Sequence, residues 1–148
     1  MGRAIIIYAS THHGSTFKLV KALADEYDLQ RIDATKQQRA DLSEYDLIGF
    51  ASGIAFGKFY EPVERFLREN LPENKRVFFL YTCAKTSRRF TETMKKAAGE
   101  RNSVFVGEYG CKGYNTYGPW KVIGGMNKNH PSAKELEEAK GFYASLTK

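Results

Sequence analysis

Apolar residues along the chain cluster in short unbroken runs separated by stretches of a different period. Arg3-Ala4-Ile5-Ile6-Ile7-Tyr8-Ala9 is β-branched and almost wholly apolar, which suits a strand covered on both faces. Similar runs recur from Tyr45 to Ser52, from Arg76 to Thr82 and from Val104 to Tyr109, while the alternating segment Leu29 to Asp33 predicts an edge strand. Between the runs the period becomes helical. Phe17, Val20, Leu23, Ala24 and Tyr27 share one stripe. So do Val63, Phe66 and Leu67, then Phe90, Met94 and Ala97, and last Leu136, Ala139, Tyr143 and Leu146.

Punctuation agrees with these spans. Pro62 falls where a first helical turn accepts proline, and Pro72 follows the same helix. Ser132 and Glu135 have the spacing of a capping box, and Thr86 or Ser87 is placed to cap the third helix. Strands alternating with helices predict a doubly wound α/β fold with a parallel sheet, joined by right-handed crossovers. With no linker, repeat or low-complexity tract, residues 1–148 are expected to form a single domain.

Composition narrows the class. Of 148 residues, 42% are hydrophobic and 27% charged, a globular balance that excludes disorder. No run approaches the roughly 18 apolar residues of a membrane helix, and residues 1–9 lack a signal-peptide pattern. With two cysteines, Cys83 and Cys111, a disulfide scaffold is excluded and a cytoplasmic location is expected. The formal charge is +6, but the basic residues are scattered and no nucleic-acid motif accompanies them. A solvated basic surface is the expectation, with no nucleic-acid partner and no membrane span.

In such a fold, ligands bind beyond the carboxyl ends of the strands, where the strand order reverses. Three connections there carry the candidate chemistry. The first is Ser10-Thr11-His12-His13-Gly14-Ser15-Thr16, which supplies four hydroxyls, a glycine and the amides of a helix start. Orphan amides, the positive end of the helix dipole and short hydroxyl donors suit a phosphate, and a polar turn with an N-cap needs the same residues. The P-loop and dinucleotide-binding glycine patterns are absent. The second connection, Ser52-Gly53-Ile54-Ala55-Phe56-Gly57-Lys58-Phe59-Tyr60, combines free backbone with aromatic side chains, as a flat heteroaromatic ring requires. The third is the turn at Thr82-Cys83-Ala84. A fourth segment, Gly110 to Pro131, is long, glycine-rich and holds Tyr114, Tyr117 and Trp120. Loops of that length are usually functional or mobile.

The buried first strand, the hydroxyl-rich Ser10 to Thr16 turn and the glycine-aromatic Gly53 to Tyr60 loop together resemble flavodoxins and flavodoxin-like domains, over essentially the whole chain. The resemblance implies a five-stranded parallel sheet of order 2-1-3-4-5 with FMN at the switch point. It further implies that Ser10, Thr11, His12, His13, Gly14, Ser15 and Thr16 surround the FMN phosphate. Ser52, Gly53, Ile54, Ala55, Phe56, Gly57 and Lys58, with Thr82, Cys83 and Ala84, would line the ring. In this family a backbone reorientation near the ring accompanies reduction, and Gly57, with Gly53, is the candidate. The chain departs from the family in its histidine pair, in the absence of tryptophan from the second loop, and in its basic charge. His12-His13 lacks metal-ligand spacing, so it reads as a protonatable phosphate donor. No metal is expected.

Function divides into three readings. The first is an FMN-holding electron carrier without a catalytic residue, serving redox partner proteins. The second is an FMN-dependent oxidoreductase acting on a quinone or protoporphyrinogen, with residues 110–131 shaping the substrate site. The third is a flavin-free binding module. Cys83 and Cys111 close neighbouring strands and were they to face each other would make a dithiol relay, although such cysteines are more often small buried hydrophobes.

Overall fold

The computed structural model describes residues 3–9, 14–83, 87–112 and 131–147. In chain order the elements are β1 (Arg3–Ala9), α1 (Ser15–Tyr27), β2 (Gln30–Asp33), β3 (Tyr45–Ala55), β4 (Lys58–Phe59), α2 (Glu61–Asn70) and β5 (Arg76–Cys83). A 3-10 turn (Arg88–Thr91), α3 (Glu92–Gly99), β6 (Val104–Lys112) and α4 (Ala133–Leu146) follow. The sheet runs β2-β1-β3-β5-β6, and β4 is the antiparallel return of a hairpin on β3. Five parallel strands therefore lie in the order 2-1-3-4-5 that the sequence resemblance implies.

Each central strand is covered on both faces, which is why its residues need not alternate. Ile5, Ile7, Ile48, Phe50, Val77 and Phe79 pack beneath α2 and α3. Ile6, Tyr8, Leu47, Ala51, Phe78 and Leu80 pack beneath α1 and α4. The helical stripes supply the matching layers: Val63, Phe66 and Leu67 from α2, and Ala139, Tyr143 and Leu146 from α4, are all buried. Pro62 occupies the first turn of α2, and Ser132 and Glu135 form the reciprocal capping box of α4.

Three spans differ from the sequence expectation. β6 runs on to Lys112, so Gly110 and Cys111 belong to the strand and not to the loop after it. Phe90 belongs to the 3-10 turn, not to α3, because the Ser87 side chain accepts from the Arg89 amide and starts a tighter turn there. Residues 52–60 are not an open loop either. β3 continues to Ala55, and a two-residue turn at Phe56-Gly57 folds the chain back through β4. On β6, Val106 is an extra residue between the partners of Val77 and Phe78, a local irregularity in the outer strand. No helix among the described residues is long and apolar enough to cross a membrane.

Candidate functional site

The strand order reverses between β1 and β3, whose registers place Ala9 beside Ser52. Further along the same edge Ser52 pairs with Tyr81, and Gly53 with Thr82. The carboxyl ends of β1, β3 and β5 thus lie along one rim.

α1 begins at that rim. Its N-cap is Gly14, in the left-handed region at φ 68° and ψ 27°, a conformation that costs a glycine little. Ser15 and Thr16 follow at once and both are buried. The first turn of α1 carries no acidic residue, whereas α2, α3 and α4 each carry a glutamate in theirs. Those three helices have a carboxylate against their positive ends, and α1 does not. The Thr16 hydroxyl, 2% exposed, lies 2.9 Å from the Thr82 hydroxyl at the end of β5. Two neutral hydroxyls thus tie the start of α1 to the third strand of the rim.

The hairpin is the second part of the site. Ser52 is fully buried; its Oγ accepts the Tyr60 amide at 2.8 Å and donates to the Gly53 carbonyl. This fastens the base of the hairpin to the start of α2. The Tyr60 ring crosses over Gly53, where an added Cβ would stand 2.5 Å from the phenolic oxygen. At the tip both central residues have positive φ, 54° at Phe56 and 77° at Gly57, the signature of a type I′ turn. Glycine is at home there. A phenylalanine is not, because its Cβ crowds the following carbonyl. Phe56 is also 99% exposed, so no burial compensates the strain. Ala55, Gly57 and Lys58 are exposed with it, and Ile54 is half-buried against the α2 side of the sheet.

Phe59 departs from the aromatic wall expected of this segment. It turns inward and packs on Phe79 and Tyr81, at centroid distances of 6.0 and 6.3 Å. The period of the hairpin explains this: in a strand, Phe59 points away from Lys58 and into the core.

The two cysteines do not face each other. Thr82, not Cys83, is the register partner of Cys111, so the two side chains lie on opposite faces of the sheet. Cys83 packs on the α2 and α3 side and Cys111 on the α1 and α4 side. Burial pushes the Cys111 thiol up to about 12, helped by Glu135, Cys83 and Glu138. A thiol so placed is a small apolar group rather than a thiolate nucleophile, and a dithiol relay is excluded by the geometry of the strands. Nearby, Tyr81 donates to the Ser87 carbonyl at 3.0 Å and so ties the end of β5 to the residue that caps the 3-10 turn.

Of the residues singled out by sequence, the structure brings together Gly14, Ser15, Thr16, Ser52, Gly53, Ile54, Ala55, Phe56, Gly57, Lys58, Thr82 and Cys83 at one end of the sheet. Ser10, Thr11, His12, His13, Ala84 and residues 113–130 lie outside the described residues. The bond between Thr16 and Thr82 had no sequence signal, since it joins residues 66 positions apart.

This is an α/β architecture with hydroxyls, a helix start and an exposed aromatic gathered at its switch point. Comparison with known proteins gives the family. A model described as a flavodoxin domain matches residues 5–119, and the chain belongs to that family. An uncharacterized protein of Methanocaldococcus jannaschii is 36% identical over 148 residues, covering 99% of both chains. Among solved structures, a flavodoxin from the domain Archaea superposes with a TM-score of 0.68 at 19% identity, covering 97% of this chain and 95% of its own. A flavoprotein from Lactobacillus acidophilus in complex with FMN gives 0.58 at 17% identity, covering 74% and 93%.

Proposed function

We propose that this chain binds FMN at the rim and acts as an electron carrier between redox proteins. The observation that carries the reading is the start of α1. A left-handed glycine opens a helix with no acid in its first turn, and two buried hydroxyl residues follow it at the switch point. That donor set fits a phosphate dianion: oriented amides, a positive dipole end and neutral hydroxyls, with no carboxylate to repel it. Ser15, Thr16 and the amides of that turn would hold the phosphate, together with Ser10, Thr11, His12 and His13 of the same connection. The exposed hairpin tip fits the ring, with Phe56 as its apolar face and the backbone of residues 53–58 as its polar edge. A bound FMN supplies one- and two-electron redox chemistry. The chain's own part is to orient the ring, exclude water from one face of it, and leave another open to a partner.

The family match and the FMN complex of the Lactobacillus acidophilus flavoprotein support this reading. The test is a titration of free FMN with the purified chain. Saturable quenching of flavin fluorescence is expected, weakened about tenfold by Thr16→Ala, equivalent to roughly 1.4 kcal/mol. Absence of quenching overturns the cofactor assignment. If the loaded protein turns over NAD(P)H and a quinone catalytically, the carrier assignment falls and the oxidoreductase takes its place.

A further inference from the structure

Aromatic rings cover glycines at several points of the sheet. An added Cβ would stand 2.2 Å from the Phe78 ring at Gly49 and 2.2 Å from the Tyr81 ring at Gly110. Both rings are buried, and the Tyr81 hydroxyl is engaged with the Ser87 carbonyl. Those two contacts are core packing. Gly53 differs. Tyr60, whose ring lies over it, is only half-buried, and its hydroxyl has no hydrogen-bond partner among the described residues. Gly53 itself lies within β3 and is not among the glycines of positive φ, which are Gly14, Gly57 and Gly107. What the position requires is therefore the missing side chain, not freedom of the backbone.

The face of the sheet can be fixed. Leu47 and Ala51 pack on the α1 and α4 side, so the two-residue period of β3 points Gly53 to that side as well. Thr82 is the register partner of Gly53, and its hydroxyl meets Thr16 at the start of α1. The Tyr60 phenol thus covers the sheet one strand away from the Thr16–Thr82 bond. It is anchored from the opposite side. Tyr60 is the N-cap of α2 and packs in part against the α2 and α3 core. Buried Ser52 accepts the Tyr60 amide at 2.8 Å and donates to the Gly53 carbonyl, so one hydroxyl fixes both the residue that carries the phenol and the glycine beneath it.

We infer that Tyr60 is a further residue of the flavin site, its hydroxyl bonding the polyol chain that joins the phosphate to the ring. Gly53 leaves room for the phenol, and Ser52 is the positioning residue of the pair. The inference rests on the FMN reading and extends it to the middle of the ligand, between the start of α1 and the hairpin tip. A phenol both donates and accepts a hydrogen bond without carrying charge, which suits a chain of neutral hydroxyls.

The test is the FMN fluorescence titration, run with NMR of the full-length chain carrying labelled tyrosine rings. Tyr60→Phe keeps the ring and its packing, so the Tm of the flavin-free chain should not move. Its FMN affinity should fall about two- to tenfold, the effect of one neutral hydrogen bond. The fall should be the same for oxidised and reduced flavin, leaving the midpoint potential unchanged. The Tyr60 ring signal, identified by its loss in Tyr60→Phe, should shift on saturation of the wild-type chain with FMN. Gly53→Ala must push the phenol aside, since its Cβ would stand 2.5 Å from the hydroxyl oxygen. It should weaken FMN at least as much, and the double variant should bind clearly better than independent effects would give. Wild-type affinity in Tyr60→Phe overturns the inference. So does a weakened affinity with an unmoved ring signal, which makes Tyr60 structural, and so does a changed potential, which puts the phenol on the ring instead of the chain. A wild-type protein that quenches no FMN ends the cofactor reading itself. Saturable quenching by wild type and Tyr60→Phe alike ends only the role given to Tyr60.

Discussion

Phe56→Asn should make the flavin-free chain more stable while weakening its hold on FMN. The wild-type hairpin holds a phenylalanine at φ 54°, next to Gly57 at 77°. A left-handed backbone costs an L-residue about 1–2 kcal/mol, and asparagine escapes much of that because its short amide can bond locally. Asn-Gly is also the preferred pair for a type I′ turn. The side chain to be removed is 99% exposed, so no core burial is lost in return. The expected gain is thus about 1 kcal/mol, or a rise in Tm of about 2–4 °C for a domain of this size. Circular dichroism melts of the flavin-free proteins measure it. On the binding side, loss of an aromatic contact of about 0.5–1.5 kcal/mol should weaken FMN by roughly two- to tenfold. Phe56→Ala is the companion variant. It keeps most of the backbone penalty and removes the ring, so its Tm should stay near wild type while its FMN affinity falls. If Phe56→Asn lowers the Tm of the flavin-free chain, the strain argument is refuted; if both variants bind FMN as wild type does, Phe56 is no part of the ring's environment.

The buried hydroxyl pair gives a second expectation. Thr16→Val or Thr82→Val alone leaves a buried hydroxyl without its partner and should cost about 1–3 kcal/mol in urea unfolding, while the double variant should cost clearly less than the sum. Strict additivity would show that the 2.9 Å contact contributes nothing. Cys111 gives a third. At pH 8 iodoacetamide should label Cys83 in the folded chain and reach Cys111 only after unfolding. Because burial raises the folded thiol's pKa to about 12 from an ordinary value of 9.0, the native state keeps a proton that the unfolded chain releases. Stability is therefore intact below pH 9 and falls as pH rises toward 12. Cys111→Ala should flatten that alkaline slope, and an unchanged slope would remove Cys111 from it. Tyr109, raised mainly by burial and then by its bond to Glu138, adds to that slope, as do Tyr8, Tyr81 and Tyr143, each raised chiefly by burial.

Much of the fold was legible because the strands are covered on both faces and the helices on one. Ile5-Ile6-Ile7 and Phe78-Phe79-Leu80 are unbroken apolar runs for that reason, and the Ser132–Glu135 box marks a helix start from local chemistry alone. The hairpin was not legible, since its tip places a phenylalanine where local preference asks for asparagine or glycine. Such a conflict between local preference and fold is itself typical of functional positions. Register was also invisible. The one-residue offset that puts Thr82, rather than Cys83, opposite Cys111 depends on the strand pairing, and it separates two thiols that the sequence places at the ends of neighbouring strands. The aromatic cluster at 56–60 was half legible: alternation along β4 sends Phe59 inward, and only the turn leaves Phe56 outside.

The extra residue Val106 has a consequence for how copies of this chain coexist in solution. β6 is an edge strand among the described residues, and it exposes Val104 and part of Phe105, an invitation to another sheet. Phe105 is partly covered, stacked on Phe79 at 5.5 Å and approached by the Lys95 ammonium at 4.6 Å. The bulge then breaks the even ladder of outward amides, so a foreign strand finds no continuous row to zip onto. A single extra residue thereby works against edge-to-edge pairing of two sheets.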